Sequence, residues 1–188
     1  SPDQQEATDF FTSAAHNLHE AGDRAGVKRM IVVSIIGIDR FTAGYSAAKL
    51  AHEQAMLSGP IAVDVVRAAQ FHEFVPQLVQ WGTRGEVAYV QEMRTQLVAA
   101  RAVAEAVAAA ATGPTPASPA SEVAGPREES LVGAATLLAS QRELGVEIEG
   151  VSDPTDPDRE LLESGALLPG PGATLAGPTF EEWLRSGG

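Results

Sequence analysis

A tyrosine and a lysine four residues apart, Tyr45 and Lys49, follow Ser34 by eleven and fifteen residues. Positions i and i+4 of a helix share a face, so a helix here points the phenol and the ammonium the same way. A nearby cation favours phenolate and lowers a tyrosine pKa. Ser34 closes the apolar run Met30-Ile31-Val32-Val33, which reads as a strand. A serine hydroxyl at a strand tip, opposite a Tyr/Lys pair on the next helix, could bind a carbonyl oxygen and exchange a proton with it.

The elements that must position these groups follow from the hydrophobic pattern. Residues 6–22 carry Phe10, Phe11, Ala14, Ala15, Leu18 and Ala21 at near-helical spacing, with Gly22 or Gly26 as the stop. Residues 28–36 are β-branched and apolar, a buried strand ended by Gly37. A helix is expected over 44–58, closed by Ser58-Gly59-Pro60, then a strand over 61–67. Helix is expected over 71–80, a short strand over 86–90 and an alanine-rich helix over 99–112. Gly113 to Pro119 has linker composition. Beyond it come a short strand at Ser121–Ala124, a helix at 127–141, an alternating strand at Val146–Val151, a helix at 157–164 begun by Asp156-Pro157, a Gly/Pro-rich loop from Gly165 to Gly177, and a last helix over 180–185 anchored by Trp183. Strands alternating with helices imply βα units on a largely parallel sheet, with a smaller mixed α/β lobe after it.

Composition narrows the function classes. The chain of 188 residues carries a formal charge of −12, which argues against nucleic acid and anionic membranes as partners. It has no cysteine, hence neither disulfides nor thiol chemistry. No apolar run approaches the roughly 20 residues of a transmembrane helix. The start, Ser-Pro-Asp-Gln-Gln-Glu, is polar and acidic, reads as a cut or processed end rather than a signal peptide, and fits a cytoplasmic protein. His16 and His19 sit three apart on the first helix, without an evident third metal ligand. His52-Glu53 lacks the second histidine of a zinc-protease helix, and His72-Glu73 reads as a polar rim. Asp64 interrupts an apolar strand, either at a solvent edge or paired with an arginine. The Glu128-Glu129 and Glu181-Glu182 pairs read as helix N-terminal charges and solvated faces.

Several segments together resemble the second half of a short-chain dehydrogenase/reductase, most closely the atypical, NmrA-like NAD(P)H-binding subgroup. They are Gly26-Val27-Lys28-Arg29, Val33-Ser34-Ile35-Ile36-Gly37, the Tyr45/Lys49 pair and Val65-Val66-Arg67-Ala68-Ala69-Gln70-Phe71. Later matches are Ala99 to Val107, Glu122-Val-Ala-Gly-Pro126 and Gly177 to Leu184. The resemblance implies a truncated Rossmann-like sheet over 1–113, a C-terminal substrate lobe over 114–188, and reduction of a carbonyl, enone or quinone-like small molecule with NADP or NAD. It makes Tyr45 the general acid, Ser34 the ligand of the substrate oxygen, and Lys49 both the group that lowers the Tyr45 pKa and a holder of the nicotinamide ribose. Arg67, Ala68, Ala69 and Gln70 fall at the cofactor; Phe71 and Phe74 wall the substrate pocket.

The sequence also departs from that family. None of its 18 glycines forms a phosphate loop after a strand, so the first half of the nucleotide-binding sheet is expected to be absent. Ala102 stands where the family usually has an acidic residue before Val103. A non-catalytic redox-sensing or protein-binding relative, or a fragment inactive alone, is therefore the alternative. A half sheet leaves a strand edge, so the strand at 28–36 is expected either to keep an unsatisfied edge or to pair with a second copy or another chain.

Overall fold

The structure is a computed structural model that describes residues 2–114 and 120–187. Most of the linker expected from Gly113 to Pro119 lies outside those residues. The chain opens with α1 (Pro2–Arg24), β1 (Arg29–Ile35), α2 (Gly44–Leu57) and β2 (Ala62–Ala68). After a 3-10 turn at His72–Phe74 come α3 (Val75–Gly82), β3 (Thr83–Arg84), β4 (Val87–Gln91), β5 (Arg94–Thr95) and α4 (Ala100–Thr112). The rest comprises β6 (Ala120–Ala124), β7 (Glu129–Ser130), α5 (Leu131–Gln141), β8 (Glu147–Val151), α6 (Arg159–Ser164), β9 (Thr174–Leu175) and α7 (Phe180–Arg185).

The fold is α/β. Its main sheet is wholly parallel, in the order β1-β2-β6-β9, with helices on both faces. Val32, Val63 and Val65 pack against Ala15 of α1 and Met56 of α2 on one face. Val66, Ala68 and Val123 pack against Ala102 and Val103 of α4 on the other. Ala15 is 1% exposed, and its small side chain lets α1 lie close to α2. β2 is buried on both faces over Val63–Val66, which explains its nearly continuous apolar sequence.

The second sheet runs β3-β4-β8 and carries its own core: Val75 and Val79 of α3, Val90 of β4, Leu131 and Leu138 of α5, and Phe180 of α7. The main sheet takes β6 and β9 from beyond residue 114, and the second takes β3 and β4 from before it. The chain thus crosses between the two units several times rather than once near residue 113. Four two-residue strands (β3, β5, β7 and β9) escape the sequence reading, since so short a run shows no period. The helix expected from 127 begins only at Leu131, because Glu129–Ser130 pairs with Arg94–Thr95 first and Ser130 then caps the helix, accepting from Gly133 N. No helix among the described residues is long and apolar enough to cross a membrane.

Three polar side chains, Arg29, Asp64 and His19, tie the elements together. Arg29 Nη2 donates to the carbonyls of Ala110, Ala111 and Gly113 at the C-terminal end of α4, where orphan carbonyls and the helix dipole favour a cation. Its other amine pairs with Asp64 at 3.4 Å, so Asp64 takes the arginine partner rather than the solvent edge. His19, 4% exposed, donates from Nε2 to Met56 O at 2.8 Å and accepts Ile61 N at Nδ1, which fixes the turn from α2 to β2. That burial, rather than a metal, accounts for His19, while His16 is exposed.

Candidate functional site

Ser34 lies at the carboxyl end of β1, directly opposite Arg67 of β2 in the register. Side chains alternate along a strand, so Ser34 shares the face of Val32, which α1 and α2 cover. It is 2% exposed, and its Oγ has no hydrogen-bond partner among the described residues. A buried hydroxyl left without a partner costs on the order of 1–3 kcal/mol.

The loop after Ser34 sets where α2 begins. Gly37 is left-handed, at φ 70, and a Cβ there would lie 1.9 Å from Ala166 O. Ile38 and Phe41 are buried, and Phe41 clusters with Ala166 and Leu167. α2 then starts at Gly44, φ 59, one residue before Tyr45. Its N-cap residue is Ala43, which has no side chain able to cap.

Tyr45 is exposed as a residue, and its ring rests edge-on against Phe11 of α1, centroid to centroid 5.9 Å. Lys49 Nζ donates to Val33 O at 3.1 Å, contacts His52 Nδ1 at 3.3 Å and sits 5.2 Å over the same Phe11 ring. Lys49 thus reaches the backbone beside Ser34, but Phe11 stands against both members of the pair. Burial pushes the Tyr45 pKa above its ordinary value. This reverses the expected lowering by Lys49, whose amine is turned to a backbone carbonyl instead. Burial also pulls Lys49 below its ordinary value, with Glu53 opposing. His52 is lowered by burial and by the Lys49 charge.

Arg67, expected at the cofactor, is engaged within the protein. Nε and Nη2 grip Glu53 at 3.2 and 2.7 Å, and Nη1 donates to Asp39 at 2.9 Å. Its pKa is raised, chiefly by the hydrogen bond to Glu53. The backbone at 68–70 is also closed: Ala68 O accepts Ile36 N, Ala69 N donates to Val123 O, and Gln70 O accepts Val98 N. Phe71 packs into the core on the α4 face, while Phe74 meets Trp81 at 5.5 Å. Two surface cavities of about 570 and 390 Å³ lie in the second unit, around Trp183 and Phe180, and neither includes Ser34, Tyr45 or Lys49 among its lining residues.

Sequence reasoning missed Asp158. It is 5% exposed; Oδ2 accepts the Thr42 and Ala43 amides at 2.8 Å each, and Oδ1 accepts the Thr42 hydroxyl at 2.9 Å. The signal was present in Ala43, a helix start lacking a local cap.

The glycines test the fit of a dinucleotide. Gly37 and Gly125 follow main-sheet strands, but a Cβ at either would meet backbone oxygen at 1.9 and 1.8 Å, from Ala166 and Leu97. Protein backbone thus packs directly against both glycines. Among the described residues, neither glycine leaves its backbone open to a pyrophosphate.

No protein-family model matches the chain. No curated protein matches its sequence. Solved structures do match its fold. An NAD-dependent NDP-hexosamine 5,6-dehydratase of tunicamycin biosynthesis aligns with TM-score 0.60 at 16% identity, over 98% of this chain and 73% of that one. An NADPH-dependent quinone oxidoreductase from Escherichia coli gives 0.60 at 18% identity, over 92% and 72%. A nucleoside-diphosphate-sugar epimerase from Staphylococcus aureus gives 0.59 at 16%, over 91% and 69%. What likeness at these identities establishes is the architecture, a Rossmann-like α/β fold with a parallel sheet between helices.

Proposed function

We propose that this chain is an NAD(P)(H)-dependent oxidoreductase-like protein of the short-chain dehydrogenase type, acting on a small carbonyl, enone or quinone-like molecule. The observation that carries the reading is the buried, unpartnered Ser34 Oγ at the carboxyl end of β1, with the Lys49 amine on the adjacent Val33 carbonyl. The three structures named above act with nicotinamide nucleotides or on sugar nucleotides by their names, and this chain shares their fold.

In this reading the Ser34 hydroxyl donates a hydrogen bond to the substrate oxygen, and the Tyr45 phenol transfers its proton to that oxygen as it becomes an alcohol. A raised pKa suits the phenol to the acid role, since it stays protonated at neutral pH. Lys49 would hold the nicotinamide ribose. The nicotinamide, when bound, supplies the hydride. Titration with NADPH and NADH, followed by their consumption with a panel of carbonyls and quinones, tests the reading. Tyr45→Phe should abolish turnover and leave cofactor affinity nearly unchanged. Absence of binding up to millimolar nucleotide, or normal turnover by Tyr45→Phe, overturns it.

One observation favours a second reading, a non-catalytic binding relative. Phe11 contacts both the Tyr45 ring and the Lys49 amine, and so keeps the cation occupied away from the phenol. Nucleotide binding without turnover on any carbonyl would select it.

A further inference from the structure

Asp158 occupies the N-cap position of α6, yet its side chain makes no cap there. A free N-cap aspartate ordinarily turns back to the amides of its own first turn. This carboxylate turns instead to Thr42 and Ala43, more than a hundred residues earlier, and meets two amides and one hydroxyl. Its own amide is held by Asp156 Oδ1 at 2.8 Å, which fixes the turn that aims it. On the receiving side, Ala43 is the uncapped N-cap residue of α2. The next amide, Gly44 N, goes to Gln4 Oε1 of α1 at 2.9 Å. Three consecutive amides leading into Tyr45 are thus held by side chains from two distant elements. Gly37 against Ala166, and Phe41 among Ala166 and Leu167, seat the same segment on the same loop.

We infer that Asp158 is a positioning residue: by holding the Thr42 and Ala43 amides it fixes the chain where it enters α2, and thereby sets the place and orientation of the Tyr45 phenol. The inference rests on the role proposed for Tyr45 where it concerns rate, and on geometry alone where it concerns orientation. A local cap would stabilise α2 equally well. The contact from Asp158 does more, because it ties the entrance of α2 to the segment that carries α6. Displacement of a reacting group by about 1 Å costs on the order of a hundredfold in rate.

The test uses Asp158→Ala, Asp158→Asn and Thr42→Val in the full chain. Asp158→Asn keeps an oxygen for the two amides and should rescue; Thr42→Val removes only the hydroxyl contact and keeps the fold should Asp158→Ala not survive. Amide hydrogen exchange of the 38–46 segment should accelerate in Asp158→Ala and stay near wild type in Asp158→Asn. The chain has two tyrosines, so fluorotyrosine incorporated into a Tyr89→Phe background reports Tyr45 alone. Its resonance should shift or broaden in Asp158→Ala, to a smaller degree in Thr42→Val, and scarcely in Asp158→Asn. With NADPH and an active carbonyl, kcat should fall roughly tenfold to a hundredfold in Asp158→Ala, with KM and cofactor affinity within about twofold of wild type. An unshifted Tyr45 resonance in both Asp158→Ala and Thr42→Val overturns the inference. So does an unchanged kcat once the segment has loosened. If the wild type turns over no substrate, the proposed function fails, and the resonance still decides whether Asp158 orients Tyr45.

Discussion

Lys49 Nζ donates to the carbonyl oxygen of Val33 on the side of β1 that faces away from β2. The direction follows from the ladder: Ile36 N bonds Ala68 O, so the backbone groups of residues 36, 34 and 32 point to β2 and those of 33 and 35 point outward. Among the described residues β1 ends the sheet, and Val33 is 37% exposed. An open, apolar strand edge is a template for another strand, and a lysine laid across it is a common deterrent. Lys49→Ala should therefore increase self-association, read as a concentration-dependent rise in sedimentation coefficient. An unchanged monomer fraction across the accessible concentration range would remove the edge-guarding role.

The Tyr45 phenol fixes the sign of a pH profile. Burial raises its pKa above the ordinary value of about 10. The protonated acid is therefore fully present below that value and is lost only as pH rises through the still higher folded one. If Tyr45 is the proton donor, kcat should show no falling limb from this group between pH 7 and about 10. A loss of rate centred near pH 7 to 8, absent in a variant that changes only Lys49 or His52, would indicate a different acid.

The regular elements were legible because strands inside a helix-covered sheet keep unbroken apolar runs such as Met30–Val33 and Val65–Val66, and because glycines end elements at 37 and 59. Ser34, Tyr45 and Lys49 were legible as residue types at a spacing. Their environment was not. Nothing local to Lys49 says that its amine meets Val33 O, and nothing local to Arg67 says that Glu53, fourteen residues earlier, takes its guanidinium in a two-point grip. Both follow from how α2 lies across β1 and β2, a tertiary fact. Asp158 was hardest to read, since an aspartate beside Asp156-Pro157 looks like an ordinary cap for the helix that follows it.

The Arg67–Glu53 pair has a large asymmetry between removing one partner and removing both. The Glu53 side chain is 5% exposed and that of Arg67 20%. Glu53→Ala leaves the guanidinium partly buried with the single, exposed carboxylate of Asp39, and should cost about 3 kcal/mol or more in denaturant unfolding. The double variant Glu53→Leu/Arg67→Met should cost well under the sum of the single changes, because no uncompensated charge remains. Additive losses would mean that the two side chains act through packing with other neighbours.

His72 should make stability fall on acidification. It is fully buried, its Nε2 donates to Pro178 O at 3.0 Å, and the rings of Phe180 and Trp183 lie 5.4 and 5.5 Å from it. Its Nδ1 is buried without a partner, so a proton there would find no acceptor. Burial accordingly depresses its pKa, despite the Pro178 bond and Glu73 opposing. With the folded pKa below the unfolded value of about 6.5, the neutral ring contributes its full stability above that pH. The contribution declines as pH falls from there toward the folded value. His72→Phe should lower the melting temperature at pH 7.5 through loss of the Pro178 bond, yet lose less than the wild type between pH 7.5 and 5. Parallel pH slopes for the two proteins would assign the acid sensitivity elsewhere.

Gly37 and Gly26 separate two costs that a single substitution mixes. Both are left-handed, at φ 70 and φ 73. A Cβ at Gly26 meets nothing within 4 Å, whereas one at Gly37 would lie 1.9 Å from Ala166 O. Gly26→Ala thus reports the backbone penalty alone, about 1 kcal/mol. Gly37→Ala adds a clash with backbone that cannot rotate away, in a loop held at its far end by Asp158. The 165–167 segment must lift, which breaks the packing of Phe41 on Ala166 and Leu167. Gly37→Ala should therefore destabilise by at least about 2 kcal/mol more than Gly26→Ala, in line with core overpacking, and should accelerate amide exchange in both the 37–43 loop and the 158–168 segment. Equal midpoint shifts for the two variants, or faster exchange in the loop alone, would show that the loop and the α6 segment are not seated on each other.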